Sequence, residues 1–425
     1  QERPFKTIEH FNRLNLNPGD SVFFKAGEAF TGNLIFDSTK SGTAGKPVII
    51  TSYGNENALI IAGNGTALSI YNLSNVEINN LSCKGSGRKA GNTKPGIEIS
   101  NCQNISVNNI DISGFQKSGL QIYNCKYVLI NKVYAHDNGA AGIGVEGDFN
   151  NKITSNNIRI AYCKAENNPG DPTNLTNHSG NGIVVGHCTN VVIDHCMATN
   201  NGWDMPRIGN GPVGIWCYEA DSVIIQHCIS YRNKTSVGGA DGGGFDLDGG
   251  VTNSVIQYCL SYENQGSGYC IFQYWSASPW HNNIIRFNIS ENDGLVSDSR
   301  AGVYVWNSSK DANQFYGCEF YNNTIYNYRQ AAISFSETSQ RKNFRFFNNI
   351  FIGKDSLIKG IDGDDTLLDN DWWSIEKKFN ADGIHDFKTW ALHHNKEQMN
   401  GKIIGLNIMP QSMNAVNIKV KNINQ

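Results

Sequence analysis

Apolar and polar residues alternate with a period of two through most of this chain, in short runs that return after each turn. One set of runs opens on glycine or alanine: GIEIS from residue 96, GLQIY from 119, GIGVEG from 142, GIVVGH from 182, GIWCYE from 214, GFDLDG from 244, GYCIFQ from 268, GVYVWN from 302 and AISFSE from 332. A second set follows across short turns, as in NISVNNIDIS, YVLINKVYAH, NIRIAYCKAE, NVVIDHCMAT, SVIIQHCISY, SVIQYCLSY and NIIRFNIS. Period two predicts strands, and the recurrence of one strand-turn-strand unit predicts a solenoid of stacked coils.

The cysteines set the register. Cys163, Cys196, Cys228 and Cys259 fall in one column of the second runs, and Cys102, Cys125 and Cys188 share a turn column. Parallel strands stack about 4.8 Å apart, so these thiols form inward ladders. They are expected to be free, because cysteine packs as a small hydrophobe and eleven is an odd count. Neighbours on a strand point to opposite faces, so no His-Cys pair at 187–188, 195–196 or 227–228 can hold one metal ion. His195 and His227 share a column with Tyr162, Tyr258 and Phe287, which predicts a stacked ring ladder.

A solenoid needs both ends covered, since terminal coils expose apolar core and unpaired edges. Phe5 to Leu14 reads as a short amphipathic helix, and the tail loses the repeat and carries helical HDFKTWALHH. The expected fold is all-β: one parallel β-helix domain, 1–425, with an N-terminal helical cap (1–30), β-helix coils (31–355) and an irregular C-terminal capping tail (356–425).

On these repeats the chain resembles the right-handed parallel β-helix proteins of the pectin-lyase-like class over about residues 30–355. Many of these are exported bacterial enzymes acting on polysaccharides, so the resemblance implies a right-handed, single-stranded β-helix and a polysaccharide or oligosaccharide ligand. It carries over no catalytic residue. The polygalacturonase NTD, DD and GHG signatures are not met, GHC at 186–188 being a partial echo. Phe272 and Gln273 stand where calcium-dependent pectate lyases with an Asp cluster place a lysine.

Charge narrows the ligand. With 35 basic and 38 acidic residues the net charge is −3, which offers no basic field for nucleic acid. No apolar run approaches the roughly 18 residues that span a bilayer. The start at Gln1, without Met or a leader, points to a processed and exported chain, periplasmic or extracellular. A monomer is expected.

Candidate chemistry concentrates on one face. Outward positions of the first runs carry Glu146, Trp216, Tyr218, Asp246, Phe272, Tyr304 and Trp306, which pair aromatic rings for sugar C–H faces with carboxylates for hydroxyls. His187 and Glu219 lie at the edge of that face. Long insertions before Gly182, Gly214, Gly244 and Ala301 emerge at one corner of the solenoid and wall the face into a cleft, with Trp203 and Arg207 on one wall. Within GGADGGGFDLDGG, 238–250, Asp246 and Asp248 share the outward strand face and Asp241 folds back from the turn. Closely spaced carboxylates titrate apart, which supplies the acid and base of glycoside hydrolysis. The expected function is a glycoside hydrolase using Asp246 and Asp248 with Asp241 as a third carboxylate, and with no cofactor required. The alternatives are a polysaccharide lyase with calcium on the Asp cluster, and a noncatalytic glycan-binding solenoid. There is no P-loop, dinucleotide fingerprint, nucleophile elbow or zinc pattern.

Overall fold

The computed structural model describes residues 4–398 apart from 152–153, 297–299, 337–339, 355, 361–364, 377–378, 382 and 395–396. All ladders between its named strands are parallel, and each strand pairs with its equivalent one coil away, as the repeat predicts. Twelve first strands, from Leu34–Phe36 to Ile358–Lys359, make one sheet. The other sheet takes two strands per coil in the central region, such as Cys188–Asp194 followed by Met197–Thr199. The bend between them sits at a left-handed residue, His195 at φ 53°. Equivalent bends fall on Tyr162, His227, Tyr258 and Phe287. Bulky side chains reach that region only at about 1–2 kcal/mol each. Ring stacking down the column offsets that cost: Tyr162 on His195, His227 on Tyr258 and Tyr258 on Phe287.

The register is the one read from the glycines. Ile143, Ile183, Ile215, Phe245, Tyr269 and Val303 stack in one core column, and Val145, Val185, Cys217, Leu247, Ile271 and Val305 in the next. These residues are buried in a single core running the length of the solenoid. All eleven cysteines are buried and free.

The cysteine column carries on as asparagine. The Cys196 N–H donates to Cys228 Sγ, the Cys259 N–H to Asn288 Oδ1, and the chain of side-chain acceptors continues through Asn323, Asn349 and Asn370. A second ladder runs Asn138, Asn168, Asn201, Asn233, Asn264 and ends on Asp293. Each satisfies a turn N–H that the strands cannot pair, which a buried coil requires.

The helical cap is shorter than the amphipathic pattern suggests, Ile8–Asn12, because the Thr7 side chain accepts from the His10 N–H and starts the helix there. Ile8 and Phe11 close the core end, with Phe11 tilted 5.1 Å from Phe36. At the other end, helix Phe387–His394 buries Trp390 against Trp372 and Phe379. Strand pairing starts ahead of residue 31, at Ser21–Lys25, and passes residue 355 to reach Asp371–Ser374 and, beyond the second helix, Glu397–Gln398. Among the described residues no helix is long and apolar enough to cross a membrane.

Candidate active site

The outward column of the first sheet reads Gly144, Val184, Trp216, Asp246, Cys270, Tyr304. Outward does not mean solvated. Ala141, Val184, Val213 and Trp216 form an apolar cluster separate from the main core, with Tyr218 packed against it. The insertions cover this face and brace one another: Ser236 Oγ donates to the Arg207 carbonyl at 2.7 Å, Asn210 Nδ2 to Asn177 Oδ1 at 3.1 Å, and the Gly211 N–H to Asp241 Oδ2 at 2.6 Å.

Between these insertions and the sheet lies a cavity of about 690 Å³. Arg207, Trp216, Tyr218, Asp241, Asp248, Phe272, Tyr304 and Trp306 line it, so eight of the side chains expected from sequence meet there. His178, Asn177 and Asn210 come from the same insertions, and Arg300 from the one before Ala301. A second wall, unforeseen, comes from turns that leave the opposite end of the first strands and brings Phe149, Tyr274, Trp275 and Ser308. Phe149 and Trp275 are among the most exposed large side chains of the protein. The nearest signal in the sequence is YWSASP, an aromatic pair in a turn directly after GYCIFQ.

Burial and charge set the protonation states. Burial pushes the Asp248 carboxyl up to about 7, with the Gly249 N–H pulling the other way and the charges of Asp241 and Glu219 adding to the rise. Asp241 is also raised by burial, but Arg300, the Gly211 N–H and Arg207 oppose it. The two carboxyls therefore differ in their surroundings: Asp248 is poised to hold a proton near neutrality among acidic neighbours, whereas Asp241 has two arginines and a backbone N–H that favour its ionised form against the burial that raises it. His178 goes down to about 4, through burial and the neighbouring Arg207, so its ring is neutral.

Five expected site residues do not line the cavity. Asp246 is 2% exposed, its Oδ1 has no hydrogen-bond partner, and burial with its two acidic neighbours drives its carboxyl well upward, so it is a neutral acid behind the cavity wall. The alternation placed it outward correctly, but the covering loops seal it. Glu146 accepts the Tyr218 hydroxyl at 2.7 Å and lies behind that ring. Gly186 makes this approach feasible, since a Cβ there would fall on the Tyr218 ring and on Glu146 Oε2. His187 is buried edge-on to Tyr218 at 5.4 Å and backs it as well. Glu219 Oε1 accepts the Ser278 N–H at 2.8 Å and the Tyr274 hydroxyl at 3.5 Å, which holds the second wall. Trp203 faces away: its Nε1–H donates to Asn167 Oδ1 at 2.9 Å, and it lines a separate cleft with Tyr134, Glu166 and Lys234.

Calcium was expected as a rival occupant of the acidic trio. Among the described residues only Asp194, His195 and His227 bring three ligand atoms within 4.8 Å of one another, and Asp241, Asp246 and Asp248 do not form such a group. They do not fit a ready cation cage, since calcium takes six to eight oxygens.

No curated protein matches the chain. Among solved structures, the A-module of the mannuronan C-5 epimerase AlgE6 of Azotobacter vinelandii is 13% identical, with a TM-score of 0.55, and the match covers 86% of this chain and 90% of that one. PfbA, a surface adhesin of Streptococcus pneumoniae, is 11% identical with a TM-score of 0.53, covering 85% and 84%. The pectate lyase Pel9A is 15% identical with a TM-score of 0.44, covering 65% and 68%. At these identities the likeness is one of fold. The model of the Pel9A-like right-handed β-helix region matches residues 1–292, more than half of the sequence, and the chain belongs to that family.

Proposed function

We propose that the protein is a glycoside hydrolase acting on a polysaccharide or oligosaccharide, with Asp248 as general acid and Asp241 as base or nucleophile. The observation that carries this reading is the meeting of two unlike carboxyls in one cavity walled by aromatic rings. Sugar rings stack on Trp216, Tyr218, Phe272, Tyr304 and Trp306, while His178, Asn177 and Asn210 offer neutral hydrogen-bonding groups to hydroxyls. Asp248 gives its proton to the glycosidic oxygen as the C–O bond breaks, and ionised Asp241 takes a proton from the attacking water or attacks the anomeric carbon itself. Low polarity around both strengthens their action on the charge that develops on the sugar. Membership of a family named for a pectate lyase, and fold likeness to an epimerase of mannuronan, support a carbohydrate ligand. Likeness to a surface adhesin supports a place outside the cell.

A second reading, β-elimination from a uronate-containing glycan, is favoured by one observation: Arg207 and Arg300 both line the cavity, where they would meet a sugar carboxylate. Purified protein incubated with plant, algal and host glycans separates the readings when reducing ends and ultraviolet absorbance are followed together. Hydrolysis releases reducing ends without absorbance, elimination gives both, and a binding solenoid gives neither.

A further inference from the structure

Outside the cavity, two histidines from successive coils converge on one carboxylate oxygen. Asp194 closes the strand Cys188–Asp194, His195 follows it at the left-handed bend, and His227 occupies the same bend one coil later. His195 Nδ1 lies 2.8 Å and His227 Nδ1 3.1 Å from Asp194 Oδ1. The other oxygen, Oδ2, is held by Arg159 at 2.7 Å, which turns Oδ1 toward both rings. Gln226 Nε2 is the fourth polar neighbour, 3.3 Å from Oδ1.

The ring ladder explains why the imidazoles sit one above the other, 4.8 Å between centroids, but not why they tilt by 32° with both Nδ1 atoms turned to one carboxylate. We infer that Asp194, His195 and His227 form a surface site for a divalent transition ion of the zinc, nickel or copper class. Ligands of such an ion stand about 3.3 Å apart across a tetrahedron with bonds of roughly 2.0–2.1 Å, so the two nitrogen–oxygen separations need a shift of a few tenths of an ångström, and all three donor atoms already lie within 4.8 Å of one another. Two imidazole nitrogens with one carboxylate select these ions over calcium and magnesium, which take oxygen donors. The side chains of His195 and His227 are about two-fifths exposed, leaving room for water as the remaining ligand, while Asp194 is buried. Each ring then carries its proton on Nε2. The Arg159 charge beside Asp194 lowers the affinity for a cation.

The ion links two coils, so it stabilises the folded solenoid in proportion to its occupancy. The sequence alone hid this site because pairs were weighed along strands, whereas the donors assemble across coils.

Zinc chloride titrated against a chromophoric chelator tests the inference on the full chain. His195→Phe with His227→Phe is the decisive variant, because it keeps rings in the ladder between Tyr162 and Tyr258 while removing both donors. The expected result is one zinc per wild-type chain, a zinc-dependent rise in melting temperature, and loss of both in the double variant. His136→Ala, which removes another histidine lying among carboxylates, keeps both. Absence of stoichiometric zinc binding by wild type, or binding weakened less than about tenfold in the double variant, overturns the site. Glycan turnover does not enter this test, so its outcome is independent of the hydrolase reading.

Discussion

The Tyr218 hydroxyl donates to Oε2 of Glu146 at 2.7 Å, across two coils, over the one glycine of the column that leaves room for it. Burial raises the Glu146 carboxyl to about 7, so the pair is a held hydrogen bond behind the cavity rather than a free charge in it. Glu146→Ala leaves the Tyr218 hydroxyl without its acceptor, and the expected cost is about 1–3 kcal/mol of stability with a rise in KM. Gly186→Ala pushes the same ring and is expected to raise KM without removing any polar partner. Thermal melts and initial rates on the two variants check this.

Trp203 and Trp306 test the placement of the binding surface. Only Trp306 lines the cavity, and Trp203 lies in the separate cleft, stacked under Arg88 at 5.8 Å. Trp306→Ala should weaken substrate binding by about 1 kcal/mol or more, the scale on which truncating an anchoring tryptophan costs affinity. Trp203→Ala should leave kcat/KM unchanged. Equal effects would mean that substrate crosses both clefts.

The acid assignment has a pH signature. Asp248, raised to about 7, must be protonated to act, so kcat/KM should fall as pH rises past neutrality. Removing a cation beside Asp241 raises that carboxyl further, so Arg300→Ala should move the acid limb of the profile to higher pH. A pH-rate profile of the two proteins, each at saturating and limiting substrate, measures both limbs.

Asp293 stands where the ladder calls for asparagine. Its Oδ1 accepts from the Asn264 backbone and side chain, and Ser290 Oγ donates to Oδ2 at 2.7 Å. Burial pushes its carboxyl up to about 7, above its unfolded value, so the folded state binds the proton more tightly. The sign follows: this contribution is complete below about pH 4, is lost as pH rises toward 7, and stays lost above it. Asp293→Asn keeps the acceptor and removes the titration. Its melting temperature relative to wild type should therefore climb between pH 4 and 7 and level off beyond.

Much of this was legible in the sequence, for identifiable reasons. A first-strand glycine followed by alternating apolar residues leaves one choice of inward face, so the columns through Ile215, Phe245 and Tyr269 could be read directly. The same rule could not separate Asp246 from Asp248. Both point outward, and only the packing of loops decides that one is sealed while the other meets the cavity. Tyr274 and Trp275 sit in an irregular turn, where no period reports direction. Trp203 shares its insertion with Arg207, but its side chain goes to the other cleft, held by the Nε1–H bond to Asn167 Oδ1 and by the Arg88 guanidinium over its ring, contacts that no strand period reports.

The pairing of Asp248 with Asp241, rather than with Asp246, is tested most directly by turnover of one substrate by three isosteric variants at neutral pH. Asp248→Asn and Asp241→Asn should each lose about 100-fold or more in kcat, the scale of a lost acid or base. Asp246→Asn, which replaces a carboxyl already neutral in the fold, should keep most of its activity. A loss in Asp246→Asn as large as that in Asp248→Asn, or wild-type turnover by Asp248→Asn, would contradict the account.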